Sequence, residues 1–206
     1  AADVRITPTF KDGRQIGYCG VTTPRPDLDV AQAWPKVSLL TKIFSAFVVT
    51  RAPFLAATLV PVLIGAAWIV ARGLAAPFPW ALFWLVMLGA SAMHIAANTF
   101  NDYFDWTSGT DQVNNDYFLP FSGGSRSIEL GLISEKGLLR LALAALAVAV
   151  TCGLAVLFLS GRVWLIAFGL FGAFSTYFYT APPLRLAARK GLGELLIGLN
   201  FGPLMV

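Results

Sequence analysis

The chain contains a long uncharged stretch at residues 51–72, which reads RAPFLAATLVPVLIGAAWIVAR. Twenty residues without charge separate its two arginines, Arg51 and Arg72. A helix needs about 20 consecutive apolar residues to cross the hydrocarbon core of a bilayer. The stretch therefore predicts a membrane-spanning helix, and the fold class depends on how many such stretches the chain has.

Three further gaps between charged residues are equally long. They enclose 29, 21 and 22 uncharged residues, between Arg72 and Asp102, Arg140 and Arg162, and Arg162 and Arg185. We predict four complete spans, at about residues 53–71, 79–100, 140–160 and 163–181, and a fifth that begins near Leu192 and is cut off at Val206. The predicted fold is an all-α, polytopic transmembrane helical bundle.

The composition excludes the other broad classes of protein. Of the 206 residues, 57% are hydrophobic and 13% are charged, whereas a soluble domain carries about 25% charged residues. Long apolar runs exclude a disordered chain, and two cysteines exclude a disulfide scaffold. The net charge of +4 is better explained by membrane topology than by binding to nucleic acid.

The first 50 residues differ from the remainder of the chain. Residues 1–35 mix charges with four prolines and show no periodicity, which predicts a polar arm, extended or mobile, on the water side. In residues 36–50, apolar side chains recur at helical spacing beside Lys36 and Lys42, which is typical of an interfacial amphipathic helix. An early start of the first span is the alternative. Residues 51–206 are the predicted transmembrane domain.

Basic residues near the predicted helix ends indicate the orientation of the chain. Only Arg72 and Arg162 lie on one side. The opposite side carries nine basic residues, Lys36, Lys42, Arg51, Arg126, Lys136, Arg140, Arg185, Arg189 and Lys190. Since such an excess marks the cytoplasmic side, we predict an integral protein of the inner cell membrane whose N-terminus, 2-3 loop and 4-5 loop face the cytoplasm.

An acidic segment, NTFNDYFDWTSGTD, follows the second span at residues 98–111. A continuous helix would align Asn98, Asn101, Asp102 and Asp105 on one stripe, with His94 one turn deeper. Carboxylates at the end of an apolar helix are costly unless they face water, a cation or a partner. Carboxylate and amide oxygens suit Mg²⁺, so the segment predicts a magnesium site rather than a solvated helix end. His94 either contacts substrate or makes a helix-packing hydrogen bond.

Three parts of the sequence resemble the UbiA superfamily of intramembrane prenyltransferases. Residues 101–111, NDYFDWTSGTD, resemble its first aspartate-rich motif, NDxxDxxxD. Residues 120–134, PFSGGSRSIELGLIS, resemble the loop after that motif, and residues 179–186, YTAPPLRL, are similar to its tyrosine-rich helix end. The last aspartate lies six residues after Asp105 instead of four. This G-x-D ending is similar to the branch that prenylates 1,4-dihydroxy-2-naphthoate in menaquinone biosynthesis.

The resemblance implies an activity and a set of site residues. The activity is Mg²⁺-dependent transfer of a polyprenyl group from an allylic diphosphate to an aromatic acceptor in the bilayer, with 1,4-dihydroxy-2-naphthoate favoured and no role for nucleic acid. Asn101, Asp105 and Asp111 are the expected metal ligands, and Asp102, Asp105 and Asp111 the expected catalytic residues. The expected substrate-binding residues are Arg51, Asn98, Arg126, Tyr179, Thr180 and Arg185.

The resemblance also implies a bundle of nine helices with a second aspartate-rich motif. No such motif follows Asp116, and we expect the chain to be the N-terminal part of a longer protein. Two alternatives stay open. The acceptor could be 4-hydroxybenzoate, homogentisate, haem or a chlorophyllide, or the protein could be a non-enzymatic membrane cation-binding protein or transporter.

Overall fold

The structure, a computed structural model, describes residues 2–11, 14–24, 38–110 and 124–206. The chain divides into two compact units, residues 1–42 and residues 43–206. The second unit contains every described residue of the predicted site, either on its helices or on the segments between them, and the first unit holds the only strands among the described residues.

Strands β1 (Ala2–Lys11) and β2 (Arg14–Pro24) form an antiparallel hairpin. Lys11 pairs with Arg14, so two residues join the strands. The sequence at that point is Asp12-Gly13, a dipeptide that favours tight hairpin turns. The prediction for residues 1–35 missed this pairing, because it relied on the prolines and on the lack of helical periodicity. Residues 25–35 lie outside the described part of the chain.

Helix α1 (Leu39–Val49) falls within the predicted amphipathic segment at residues 36–50. It ends before Arg51, which has a left-handed backbone conformation with φ of 49°. The break separates α1 from the helix of the first span. Five large apolar side chains of α1 are at least half exposed, Leu39, Leu40, Ile43, Phe44 and Phe47. Their exposure is compatible with a helix that lies in the membrane interface.

The remaining elements are helical. They are a 3-10 turn at Ala52–Leu55, α2 (Ala56–Ala71), α3 (Trp80–Thr107), α4 (Glu135–Ser160), α5 (Leu165–Phe178), a 3-10 turn at Leu186–Ala188, and α6 (Leu192–Leu199), which continues as a π-helical turn at Asn200–Leu204.

Three of these helical segments are long and apolar enough to cross a membrane, residues 52–71, 80–107 and 135–160. They correspond to the first three predicted spans. The fourth predicted span, 163–181, contains the 14-residue helix α5. Pro182 and Pro183 follow shortly after, and a residue before proline is disfavoured in helical geometry.

Helices α3 and α4 form the core of the second unit. Ala96 and Phe100 of α3 and Ala142 of α4 are almost fully buried. Small alanine side chains let the two backbones approach closely. Many large apolar side chains elsewhere face outward, among them Phe158 at 87% exposure. An outward apolar surface of this kind is typical of helices that face lipid.

Candidate active site

Helix α3 carries the acidic segment beyond the predicted end of the second span. It continues through Thr107, so Asn98, Asn101, Asp102 and Asp105 all lie on regular helix. Their burial differs, however. Asp102 is 3% exposed, while the other three are partly exposed. The helical stripe predicted from spacing therefore divides into one buried carboxylate and three accessible polar side chains.

The carboxylate of Asp102 is surrounded by hydrogen-bond donors. The guanidinium Nη2 of Arg51 donates to Oδ1 and forms an ion pair with it. The backbone N–H of Ser125 lies 3.2 Å from Oδ1 and 3.3 Å from Oδ2, and the Ser125 hydroxyl donates to Oδ2. Both oxygens of Asp102 are thus engaged by protein groups, which compensates for the loss of hydration on burial.

Arg51 reaches Asp102 from the start of the first span. The side chain is 19% exposed, and its Nε is buried without a hydrogen-bond partner among the described residues. The left-handed backbone at Arg51 is unfavourable for a residue with a Cβ atom. Such conformations concentrate at functional sites.

Arg126 has the same backbone conformation, with φ of 47°. Its Nε lies 2.7 Å from the Oε2 of Glu129, and its side chain is 11% exposed. Arg126 and Ser127 line a narrow cleft beside Asp102 and Trp106, and the cleft is too small to admit water. The structure therefore brings Arg51 and the Arg126 loop together around Asp102.

Tyr179 and Thr180 follow the end of α5 and Arg185 precedes a 3-10 turn. Tyr179 is partly exposed. Thr180 is 8% exposed, and its hydroxyl has no hydrogen-bond partner within the described ranges.

Among the described residues, no hydrogen bond or ion pair joins Arg185 or Asn98 to this cluster. Arg185 is exposed and has a left-handed backbone with φ of 42°. The proposed contacts of Arg185 and Asn98 with substrate stay predictions.

Two of the three predicted metal ligands, Asn101 and Asp105, lie among the described residues. Asn101 and Asp105 are four residues apart on α3, so their oxygens lie on one face of the helix, one turn apart. Asp111 lies outside the described residues. Among residues 38–110 and 124–206, no group of three His, Cys, Asp or Glu side chains is placed to hold a metal. The assignment of Asn101, Asp105 and Asp111 as magnesium ligands stays a prediction.

His94 makes a helix-packing hydrogen bond. Its Nδ1 lies 2.8 Å from the Thr58 hydroxyl of α2. Its ring packs edge-on against Phe201 at a centroid distance of 5.8 Å. Nε2 is buried without a partner among the described residues. The structure thus shows a helix-packing hydrogen bond for His94. A contact of His94 with substrate stays a prediction.

Two residues that contact predicted residues were not predicted from the sequence, namely Ser125 and Thr58. Ser125 lies within the Gly-Gly-Ser-Arg segment, so a local signal existed, but nothing in the sequence indicated that its donors would meet Asp102. Thr58 is a single polar residue in an apolar helix, where a polar side chain already suggests an interior partner. The partner itself cannot be read from a single helix.

Comparisons with known proteins identify the family of the chain. Residues 58–206 match the UbiA prenyltransferase family. A 157-residue part of the chain is 31% identical to 1,4-dihydroxy-2-naphthoate octaprenyltransferase of Bacillus subtilis (strain 168). The match covers 76% of this chain and 47% of that protein, so the chain spans about half the length of the curated relative. No solved structure matches the chain.

Proposed function

Because the chain belongs to the UbiA prenyltransferase family, we propose that the protein transfers a polyprenyl group from an allylic diphosphate to an aromatic acceptor within the membrane. The observation that carries the proposal is the cluster at the end of α3. There Arg51 and the Arg126 loop meet Asp102 on the helix that also carries the partly exposed Asn101 and Asp105. Paired cationic and metal-binding groups at one helix end suit a diphosphate.

Asn101 and Asp105, together with Asp111, are the residues that would hold Mg²⁺ in this proposal. When bound, the ion would neutralise the charge that develops on the diphosphate as it leaves. The arginines supply fixed positive charge beside the same group. Arg51 is suited to this role because a guanidinium presents several donors in one plane, and Asp102 occupies only part of that plane.

The membrane setting supports the chemistry that we propose. Cleavage of the donor C1–O bond releases diphosphate and leaves an allylic cation, which the electron-rich ring of the acceptor attacks to form a carbon–carbon bond. The attacked ring carbon then loses its original substituent, a proton or a carboxyl group as CO2, and the ring becomes aromatic again. Water would capture the cation first in a solvated site, so the reaction benefits from the exclusion of water. The apolar helices also offer a lipid-like environment for the polyprenyl tail.

We further propose 1,4-dihydroxy-2-naphthoate as the acceptor, which places the reaction in menaquinone biosynthesis. Two observations support this choice. The acidic segment ends in Gly109-Thr110-Asp111, and the matched relative is named for that acceptor. The inner cell membrane with a cytoplasmic 2-3 loop is the location that we propose, since it places the basic residues and the acidic segment on one face.

The proposal can be tested with membranes that contain the protein. The assay supplies a labelled polyprenyl diphosphate and Mg²⁺ with either 1,4-dihydroxy-2-naphthoate or 4-hydroxybenzoate. We expect a prenylated naphthoate product, and Asp105→Ala membranes serve as the negative control. Product from 4-hydroxybenzoate alone would show that the acceptor assignment is wrong. Absence of product with every aromatic acceptor in the folded protein would overturn the enzyme assignment and favour the cation-binding alternative.

A further inference from the structure

We propose that Asp102 is a positioning residue that fixes Arg51 and the Arg126 loop, and that it does not hold the metal. This inference rests on the proposed function, because the two arginines are assigned to the donor diphosphate there. It gives Asp102 a different task from Asp105, which lies three residues further along the same helix.

The first argument is that both oxygens of the Asp102 carboxylate already face protein donors. They accept from Arg51 Nη2, from the Ser125 hydroxyl and from the Ser125 N–H, which the two oxygens share, and Asp102 is 3% exposed. A metal ion would have to enter this buried site and compete with these donors for the same two oxygens. Asp105 is partly exposed on the same helix.

The second argument concerns Arg51. Its Nη2 is tied to Asp102, and its backbone is held in the left-handed region. A free arginine side chain has many rotamers, and ordering it costs conformational entropy. The ion pair with Asp102 orders the Arg51 side chain before any ligand binds, so ligand binding does not have to offset this loss of entropy. Asp102 therefore preorganises the guanidinium for an incoming anion.

The third argument concerns the loop that carries Arg126. Ser125 donates its N–H and hydroxyl to Asp102, and the N–H of Ser127 lies 3.3 Å from the Ser125 hydroxyl oxygen. Arg126 is thus held on both sides by residues linked to Asp102. One buried carboxylate joins the start of the first span to the loop after α3, although these segments are far apart in sequence.

The kinetic test compares Asp102→Asn with Asp105→Asn, and Glu135→Gln controls for loss of an exposed charge. We expect Asp102→Asn to raise the KM for the polyprenyl diphosphate roughly tenfold or more, because a small displacement of binding groups has effects of that order. The KM for the acceptor and the midpoint of the Mg²⁺ titration should not change. In Asp105→Asn the Mg²⁺ midpoint should rise. A rise of that midpoint in Asp102→Asn would overturn the proposal.

A second test needs no activity and uses the buried side chain of Ser127, which is 1% exposed. In protein without its native cysteines, Ser127→Cys should react slowly with a thiol reagent. Adding Asp102→Ala, or the milder Ser125→Ala, should increase the reaction rate at least tenfold by releasing the loop. Adding Asp105→Ala should not.

Equal labelling rates in all these proteins would overturn the positioning role. Ser125→Ala keeps the Arg51–Asp102 pair, so it tests the loop even where loss of Asp102 prevents folding. If the wild-type membranes show no prenyl transfer, the proposed function fails, while the labelling rates still decide whether Asp102 holds the loop.

Discussion

The guanidinium group of Arg51 is paired with the carboxylate of Asp102, and the two residues differ in burial. Asp102 is 3% exposed and Arg51 is 19% exposed. After removal of one partner, the arginine can still be reached by water, whereas the carboxylate keeps only the donors of Ser125. The two halves of the pair should therefore contribute unequally to stability.

We expect Arg51→Ala to lower the free energy of unfolding by about 3 kcal/mol, because it leaves an uncompensated buried charge. Asp102→Ala should lower it less. The double variant Arg51→Leu with Asp102→Leu should recover part of the loss, since neither charge remains. Thermal unfolding of the detergent-solubilised variants ranks their stabilities. A double variant as unstable as Arg51→Ala alone would contradict this interpretation.

The backbone at Arg185 gives a second prediction. Its φ of 42° favours glycine, so Arg185→Gly should be more stable than Arg185→Ala by about 1 kcal/mol. Both variants lose the same guanidinium and should weaken donor binding equally. Arg189, with φ of −102°, is the matched control, and there the glycine variant should be the less stable one. The same order of stability at both positions would argue against strain at Arg185.

The Thr58–His94 hydrogen bond links α2 and α3. Valine has nearly the same shape as threonine, but Thr58→Val leaves His94 Nδ1 without its hydrogen-bond partner. We therefore expect the free energy of unfolding to fall by about 1–3 kcal/mol. Thr58→Ser should retain most of the stability. Thr151→Val, an exposed threonine on α4, should change stability by less than about 0.5 kcal/mol. Thermal melting of the three variants compares them, and equal melting of Thr58→Val and wild type would refute the link.

The metal site is tested by Asp105→Ala. We expect this change to abolish prenyl transfer while the folded protein stays in the membrane, because it removes one of three proposed Mg²⁺ ligands. Excess chelator should have the same effect on the wild type, and added Mg²⁺ should reverse it. Glu135→Gln should retain activity. Full wild-type turnover in excess chelator would be incompatible with the metal requirement.

The orientation is tested by cysteine labelling. Thr110 is exposed and lies just beyond α3. In a protein without native cysteines, Thr110→Cys should react with an impermeant reagent only after the membrane has been permeabilised. Arg162→Cys, at the opposite ends of the helices, should react in intact cells. The reverse pattern would invert the topology and remove the argument for a cytoplasmic 2-3 loop.

The sequence by itself determined the membrane fold and the position of the acidic segment. Charge spacing located the first three spans, because a helix in lipid must satisfy its own backbone and must be apolar along its whole length. Both conditions are local properties, so they are visible in a single sequence. The same holds for the start of α6 at Leu192. The hairpin at residues 2–24 was missed, although Asp12-Gly13 was a usable signal.

Only the tertiary structure decided which acidic side chain is buried and what it meets. Spacing placed Asn101, Asp102 and Asp105 together at one helix end. It does not say which of them is buried, because burial depends on the element that packs against the helix. Arg51 and Ser125 provide that packing for Asp102. They come from distant parts of the chain, and their approach depends on how α2, α3 and the loop before α4 assemble. The difference between the buried carboxylate of Asp102 and the partly exposed Asp105 is therefore a product of packing, which the order of residues along α3 does not contain.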